Sequence, residues 1–496
     1  MDLLLSGIQV ICTPITLMWI FFGTFIGVIF GALPGVSPTM AVVLSIGFTY
    51  SMEPVVAIAF LAAIYCSSIT GGGITAIIFK IPGTPSSAAT VLDGFPMAQR
   101  GEAGRALGIS LICSSIGGLF SALVMFFLTQ PLMKAALQFS AAELFAVCVL
   151  GLSIIVLLDK DKILSTLTSV VIGLWLATIG MDEFSTVPRF TFGIPILLDG
   201  MDSLPFMLGM FAAVEVYKEI HNPTDRSMYQ NGKQAKLSKL APLKDYIDMK
   251  WTIIRSALLG TAIGIIPGAG STIAAWLSYT TEKKLSKNPE LLGTGVPNGI
   301  AAPETANNAA TGGAMVPMLA MGIPGSNAAA AMMAALAIHG VQMGPLLLKA
   351  QPQYLSATFI SMIIANIAMV FISIVVAKTF ASFLALPYWA LGIFIMIMTF
   401  CGCYASKNGM VPIYVMLIGS IIGYFLSKFN FNIPSLILGL VLGPICERQF
   451  RRGMQMSNND IIAFFSRPIT LTLMIIIILV YAFSIYKMFI AQKKED

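Results

Sequence analysis

Two proline–glycine breaks, each followed by small hydroxyl or amide residues, are the features of this chain best suited to binding a ligand. The first reads IPGTPSS from Ile81 to Ser87, and the second reads IPGSN from Ile323 to Asn327. A helix that resumes after such a break presents unpaired N–H groups and the positive end of its dipole, which together attract a carboxylate. The same side chains could instead only cap the resuming helices, since Ser and Asn are preferred N-cap residues. The candidate donors are Thr84, Ser86, Ser87, Ser326 and Asn327.

A second pair of breaks lies upstream of the first pair, with the sequences PGVSPT and PGAGST. The apolar arms after these breaks, Met40–Tyr50 and Ile273–Tyr279, are too short to span a bilayer. We therefore expect re-entrant hairpins, with kinked spans as the alternative. The candidate donors that these breaks add are Thr39, Ser271 and Thr272. The four breaks centre on Pro34 and Gly35, Pro82 and Gly83, Pro267 and Gly268, and Pro324 and Gly325.

Glu304, Asn307 and Asn308 bring a carboxyl group and two amides into a long segment of small and apolar residues. Glu304 and Asn308 are four residues apart and share a helix face, so they could hold a coupling Na⁺, or Glu304 could carry a proton. Pro303 offers the alternative, because as a first helical residue it would leave Glu304 merely complementing the helix dipole. The candidate cation set, with the two threonines that precede matching glycine motifs, is Glu304, Asn307, Asn308, Thr70 and Thr311.

The composition indicates that these residues are positioned by membrane helices. Hydrophobic residues make up 57% of the 496 residues and charged residues 10%, and the mean hydropathy is +0.87. A soluble domain carries roughly 25% charged residues. Apolar stretches of the length needed to cross a bilayer recur along the chain, and with the interrupted ones we expect about 10–12 spans. The predicted fold class is an all-α polytopic membrane protein with broken or re-entrant helices in a lipid bilayer.

Several other function classes are disfavoured. The net charge of +6 is spread over short loops and is not a nucleic-acid footprint. Two histidines are too few for a histidine metal site or a catalytic triad, and the seven cysteines are expected to be packing residues. No Gly-Lys-Ser/Thr motif for ATP binding occurs. We expect no enzyme activity and no cofactor or metal beyond a coupling Na⁺ or H⁺.

The basic residues predict an orientation. The long polar stretch Lys218–Lys250 is rich in lysine and is placed in the cytoplasm by the positive-inside rule, together with Arg100 and Arg105. Asp93 lies in the same predicted loop, where it would close an Asp-Gly turn. One conflict remains, because the cluster Arg448–Arg452 precedes a single final span that is itself followed by lysines. One of these two basic clusters must lie outside.

Weak matches in the same order predict an internal repeat. The two IPG motifs are 242 residues apart, TGGG at Thr70 and TGGA at Thr311 are 241 apart, and the upstream Pro-Gly pairs are 233 apart. Ile172-Gly173 matches Ile418-Gly419, and Val187-Pro188 matches Ile433-Pro434, both at 246. The loop after the first break is basic and its counterpart is not, so we expect inverted repeats. The predicted units are 1–217, a linker 218–250, 251–467, and a final helix and tail 468–496.

Three long motifs resemble the large membrane subunit of the tripartite tricarboxylate transporters, the TctA family. They are GALPGVSPTM from Gly31, IPGTPSSA from Ile81 with LDGFPMAQRGEAG from Leu92, and PETANNAA from Pro303 with GIPGS from Gly322. The resemblance covers nearly the whole chain. It implies a multi-pass symporter of the bacterial inner membrane for citrate-like or other carboxylates, driven by Na⁺ or H⁺. It also implies a small transmembrane subunit and a periplasmic substrate-binding protein as partners.

Two other function classes stay open at this point. A passive channel would need a continuous polar pore rather than paired breaks that converge on one site. An intramembrane enzyme could use Ser, Asp or Glu as catalytic groups, although the scarcity of histidine and the repeat count against it.

Overall fold

The structure is a computed structural model, and it describes residues 2–33, 36–158, 163–214, 217, 240–384, 388–407 and 409–495. Within these ranges the chain is helical apart from loops and one antiparallel strand pair, Gly180–Met181 with Pro188–Arg189. Six helical segments in the same ranges are long and apolar enough to cross a membrane, and shorter apolar helices of 10–17 residues accompany them. The predicted all-α polytopic membrane class is confirmed.

The described residues of the first half form nine α-helices and several short turns. The helices are α1 Asp2–Ile11, α2 Pro14–Ala32, α3 Pro38–Thr49, α4 Pro54–Phe79, α5 Ala88–Met97, α6 Ala103–Ala136, α7 Ala141–Leu158, α8 Ile163–Ala177 and α9 Ser203–Leu208. The turns are the 3₁₀ segments Pro85–Ser87 and Pro195–Asp199 and the π segments Ala98–Glu102 and Gly209–Ala213.

The described residues of the second half are also mainly helical. Its helices are α10 Leu243–Asp248, α11 Lys250–Ile265, α12 Gly270–Leu285, α13 Pro297–Met321, α14 Asn327–Ile338, α15 Leu347–Ala350, α16 Gln353–Leu384, α17 Tyr388–Lys407, α18 Val411–Lys428, α19 Ile433–Met456, α20 Ile461–Phe465 and α21 Pro468–Glu495, and a 3₁₀ turn spans Pro289–Leu291. Most of the predicted linker 218–250 lies outside the described residues.

The two downstream breaks share one backbone conformation. Helix α4 ends at the left-handed residue Lys80 (φ 61°), and α13 ends at the left-handed Gly322 (φ 72°). The N–H of Gly83 then donates to the carbonyl of Gly72 at 3.2 Å, and the N–H of Gly325 donates to that of Ala314 at 3.3 Å. Each residue of one break is 242 positions from its counterpart, so the two breaks are structural equivalents.

The packing of glycines between helices shows the same correspondence of 242 residues between the halves. Gly71 packs against the carbonyl of Val28, as Gly313 packs against that of Thr261, and a Cβ at either glycine would overlap its neighbour. Such close backbone approach is typical of small residues between membrane helices. The pair Gly71 and Gly313 is 242 apart, so the predicted match of Thr70 with Thr311 is wrong by one position. Thr70 corresponds to Gly312.

A second correction concerns the match of Val187-Pro188 with Ile433-Pro434. Pro188 lies in a two-residue strand, whereas Pro434 begins α19, so the two are not equivalent. Glycine contacts give the correct pairing. Gly439 packs on the carbonyl of Val170 as Gly209 packs on that of Met416, which relates α19 to α9 at 230 residues and α18 to α8 at 246.

The two halves run in opposite directions. Asp93 near the end of α5 accepts hydrogen bonds from the N–H groups of Gly295 and Val296, which directly precede α13. His339, which follows α14, contacts Thr49 at the end of α3, shortly before α4 begins. The segment α13–α14 therefore starts where α4–α5 ends and ends where α4–α5 starts. The repeats are inverted, as the charges predict.

Both upstream breaks form helical hairpins. Arg255 of α11 pairs with Glu282 of α12 at 2.6 Å, which brings the outer ends of this hairpin to the same side. In the first half the rings of Phe22 and Phe48 lie 6.5 Å apart, which joins α2 and α3 in the same way. The arms therefore fold back on each other, as the re-entrant alternative requires and a kinked span would not. The predicted tip residues Pro34 and Gly35 lie outside the described residues.

Arg448 and Arg451 of the basic cluster form ion pairs with the loop that follows α8. Helices α8 and α19 run side by side in the same direction, so Arg448 and Arg451 lie at the end where α8 finishes. There Arg448 pairs with Glu183, and Arg451 pairs with Asp182 at 2.8 Å. Hydrogen bonds from the N–H groups of Phe184 and Ser185 lower the pKa of Asp182 to about 2. Two arginines of the cluster are thus held by acidic partners in the loop between α8 and α9.

Candidate functional site

Three hydroxyl groups meet at the first break. The hydroxyl of Thr84 lies 3.0 Å from that of Ser86 and 2.9 Å from that of Ser87, and all three residues are buried. Gly72 of α4 makes room for them, since a Cβ there would overlap the hydroxyls of Thr84 and Ser87. Neither Thr84 nor Ser87 accepts an N-capping hydrogen bond from the helix that follows it. At this break the hydroxyls bond to one another rather than to the helix end.

The second break is organised differently. Ser326 caps α14 by accepting a hydrogen bond from the N–H of Ala329 at 3.2 Å. Its hydroxyl also lies 2.8 Å from that of Tyr65, which reaches it from α4. Asn327 is the first residue of α14 and is half-buried. The capping role that the sequence offered as an alternative is therefore the one observed for Ser326.

A cavity of about 370 Å³ lies where the two breaks of the first half meet. Its polar residues are Ser37, which caps α3 through the N–H of Met40 at 3.1 Å, and Thr84. Most of its wall is apolar, which is the usual construction of a small-molecule site. None of its described lining residues is charged. The lining consists of Val36, Ser37, Met40, Pro82, Gly83, Thr84, Pro85, Met210, Phe211, Val214, Ile433 and Pro434.

The candidate donors are divided among several places. Thr84 lines the cavity, and Ser86 and Ser87 connect to it through Thr84. Thr39 lies in the first turn of α3, next to the capping residue Ser37. The donors of the second half lie on the equivalent breaks and not in the lining of this cavity, namely Ser271, Thr272, Ser326 and Asn327.

The second upstream break joins its neighbour through the backbone. Gly268 has a left-handed conformation (φ 77°), which only glycine adopts readily. Its N–H donates to the carbonyl of Gly325 at 3.0 Å. Pro267 packs against Gly151 of α7. The four predicted positions Pro267, Gly268, Pro324 and Gly325 thus form one connected structure, and Pro82 and Gly83 hold the equivalent place in the first half.

A buried polar network crosses the interface between the halves. The amide of Asn308 on α13 donates to Asn366 on α16 at 2.8 Å and to the carbonyl of Ser114 on α6 at 3.1 Å. The hydroxyl of Thr70 on α4 lies 2.8 Å from that of Ser114. All four residues of this network are buried. Asn366 and Ser114 were not among the predicted residues, although an asparagine inside the apolar segment 353–384 is the signal that could have found the first.

Glu304 lies close to this network and is fully buried. Its Oε1 accepts a hydrogen bond from Thr90 at 2.5 Å, while Oε2 has no partner among the described residues. Gly73 leaves the space that the carboxyl group occupies. Helix α13 begins at Pro297 and contains Pro303 in its interior, so the alternative that placed Glu304 in the first turn is wrong. The carboxylate is not there to complement a helix end.

The remaining cation candidates differ in how well they are satisfied. Asn307 is fully buried, and neither its oxygen nor its nitrogen has a hydrogen-bond partner among the described residues. The side-chain oxygen of Asn308 also has no hydrogen-bond partner among the described residues. Thr311 donates to the backbone carbonyl of Asn308 at 2.7 Å. Native proteins satisfy nearly all such groups, so these orphaned atoms indicate a missing ligand or water.

The chemistry available here is oxygen and amide chemistry. The described residues contain no group of three or more His, Cys, Asp or Glu side chains placed to hold a metal ion. Hydroxyl, carbonyl and carboxylate oxygens are ligands for hard cations rather than for zinc or copper. Any ion held by these residues would therefore be a hard cation.

The comparisons with known proteins agree with this architecture. Residues 17–438 match the model of the tripartite tricarboxylate transporter TctA family. An uncharacterised 52.8 kDa protein of the TAR-I ttuC′ 3′ region of Agrobacterium vitis is 33% identical over 468 residues, covering 94% of this chain and 93% of the relative. A protein of the TAR-II ttuC′ 3′ region of the same organism is 35% identical over 215 residues, covering 43% of this chain and 89% of the relative.

No solved structure matches the chain. The family match nevertheless covers most of the sequence, including both pairs of breaks and the cavity between those of the first half. The chain belongs to the tripartite tricarboxylate transporter TctA family and is a multi-pass membrane component of a transporter.

Proposed function

We propose that the chain imports citrate-like or related carboxylates by cation symport across the bacterial inner membrane. The observation that carries this proposal is the cavity of about 370 Å³ at the breaks of the first half, which Thr84 and Ser37 line. Two helices, α3 and the segment beginning at Pro85, start at its wall. The positive ends of their dipoles favour a carboxylate at that point.

The lack of charge on the described lining residues supports coupling to a cation. A carboxylate moved out of water without a counter-charge carries a large desolvation cost, and helix ends offset only part of it. A co-transported Na⁺ or H⁺ would supply the missing charge. Glu304, Asn307 and Asn308 have orphaned buried atoms on one side of α13, which supports placing the cation there.

We further propose that a small transmembrane subunit and a periplasmic substrate-binding protein act with the chain. The family's description as tripartite supports this. A binding protein that captures the substrate first would carry out part of the discrimination between substrates. The membrane subunit would then need few polar groups in its cavity.

The test is uptake into proteoliposomes containing the chain and its small subunit. Labelled citrate and related carboxylates are offered under imposed Na⁺ or H⁺ gradients, with and without the binding protein. Accumulation that requires a gradient and the binding protein supports the proposal. Equilibration without accumulation would identify a channel, and a covalently altered product would identify an enzyme. Thr84→Val should reduce uptake at least 10-fold, with Thr280→Val on the exposed face of α12 as the matched control.

A further inference from the structure

The inverted repeat makes it possible to compare the two halves residue by residue. At the downstream breaks the correspondence is 242 residues, which relates Thr84 to Ser326 and Asn307 to Tyr65. Tyr65 and Ser326 are hydrogen-bonded at 2.8 Å. The repeat symmetry therefore predicts that Asn307 approaches Thr84 in the first half. Helix α13 does pack against the 3₁₀ turn Pro85–Ser87, as this equivalence requires.

The two equivalent places are filled differently. At the second break the phenol of Tyr65 spans the distance from its helix to Ser326. At the first break the shorter side chain of Asn307 leaves both of its polar atoms without a partner among the described residues. Thr84 there bonds only to the neighbouring hydroxyls of Ser86 and Ser87. By the repeat symmetry, the hydroxyls of the first break and the amide of Asn307 are the counterparts of Ser326 and the tyrosine.

The rest of the helix face shows the same asymmetry. The equivalents of Glu304 and Asn308 on α4 are Ala62 and Cys66, and the equivalent of Thr90 is Met332. The polar groups are thus gathered at the first break alone. Glu304 is three residues before Asn307 on the same helix face, and its Oε2 has no partner among the described residues.

We infer that the chain has one alkali-cation site at its downstream breaks, between the hydroxyls of the first break and Asn307, and that Tyr65 blocks its equivalent at the second break. This inference rests on the proposed cation symport and assigns its cation to particular residues. Oxygen atoms of Thr84, Ser87 and Asn307 would coordinate the ion, which is the ligand type that hard cations prefer. Glu304 would neutralise its charge.

The test measures Na⁺ binding directly and does not depend on transport. The full chain with its small subunit is purified in detergent, and its melting temperature is recorded against NaCl concentration, with choline chloride at constant ionic strength. A ligand that binds only the folded state raises the melting temperature with its concentration. Asn307→Ala should raise the Na⁺ concentration needed for half of this effect at least 10-fold. Tyr65→Phe, the matched variant at the second break, should change it less than 2-fold.

Two further variants keep the inference falsifiable if Asn307→Ala fails to fold. Thr84→Val should weaken the response to Na⁺ as Asn307→Ala does. Asn307→Tyr copies the residue that the other half accepts at this place, and it should abolish the Na⁺ response. An unchanged response in Asn307→Tyr and Thr84→Val, or an equal loss in Tyr65→Phe, would overturn the inference. Na⁺-dependent uptake that Asn307→Ala and Asn307→Tyr leave unchanged would refute only this inference, whereas normal Na⁺ binding without uptake would refute only the proposed function.

Discussion

Asp93 of α5 holds the loop that precedes α13, and its removal is the sharpest test of that contact. The carboxylate is fully buried and accepts hydrogen bonds from the N–H groups of Gly293 (3.0 Å), Gly295 (2.8 Å) and Val296 (2.9 Å). The hydroxyl of Tyr279 donates to it at 3.0 Å. The sequence predicted that Asp93 closes an Asp-Gly turn in a cytoplasmic loop, and that turn is wrong, because Asp93 lies inside α5 and is buried.

The effect of Asp93→Asn can be estimated from these bonds. A hydrogen bond to a charged group contributes about 1.5–3 kcal/mol and a neutral one about 0.5–1.5 kcal/mol. The amide keeps one oxygen for the three N–H groups but loses the charge, at a cost of about 1 kcal/mol for each of them. The total is about 3 kcal/mol, which corresponds to roughly a 100-fold change in the local opening equilibrium. Asp93→Ala would leave all three N–H groups unsatisfied and should cost more.

The assay is amide hydrogen exchange of the segment 291–297 in the purified chain, because exchange reports local opening directly. Asp93→Asn should speed exchange of the Gly295 and Val296 amides by about 100-fold. Tyr279→Phe is the matched control, since it removes one donor and leaves those two bonds in place, and it should change their exchange less than 10-fold. Unchanged exchange in Asp93→Asn would refute the view that this carboxylate holds the halves together.

Three further expectations follow from the packing and the charges. Gly72→Ala should overlap the hydroxyls at the first break, cost about 1–3 kcal/mol and reduce carboxylate uptake, whereas Gly47→Ala, whose Cβ would meet only ordinary contacts, should not; uptake assays and melting curves decide. Asn366→Leu removes an acceptor from Asn308 and should weaken the melting-temperature response to Na⁺ about 10-fold, and an unchanged response would exclude the network from cation binding. The pKa of Asp182 is lowered from 3.8 to about 2. The native contacts of this carboxylate therefore stabilise the chain above pH 4, and the stabilisation is lost as the pH falls towards 2. Asp182→Asn should remove that part of an acid-unfolding curve, and an unaltered curve would contradict this prediction.

The helix breaks could be predicted from the sequence because their cause is local. Proline lacks an N–H group and glycine accepts left-handed backbone angles, so the Pro-Gly pairs at Pro82 and Pro324 favour a helix break from the local sequence alone. Glu304 and Asn308 could be found for a related reason, since polar side chains in an apolar segment require an explanation.

The partners of those residues could not be predicted. Asn308 meets Asn366 across 58 residues and Ser114 across 194, and nothing in the local pattern of either site refers to the other. The register of the repeat was misjudged by one residue around Thr70 because a run of glycines can be aligned in more than one way. Only the carbonyl against which Gly71 packs fixes the alignment. Pro303 was misread as a possible helix start because membrane helices tolerate proline in their interior.

The pairing of α8 with α19 affects the order in which the protein can be assembled during synthesis. Gly173 is fitted to the carbonyl of Leu436, a residue made 263 positions later in the chain. At roughly 5–20 residues per second, the ribosome needs about 13–53 seconds to deliver that partner. Until then the face of α8 that carries Gly173 contacts lipid or an assembly factor instead of α19. Chains cut short before α19 should therefore be early targets for membrane proteases.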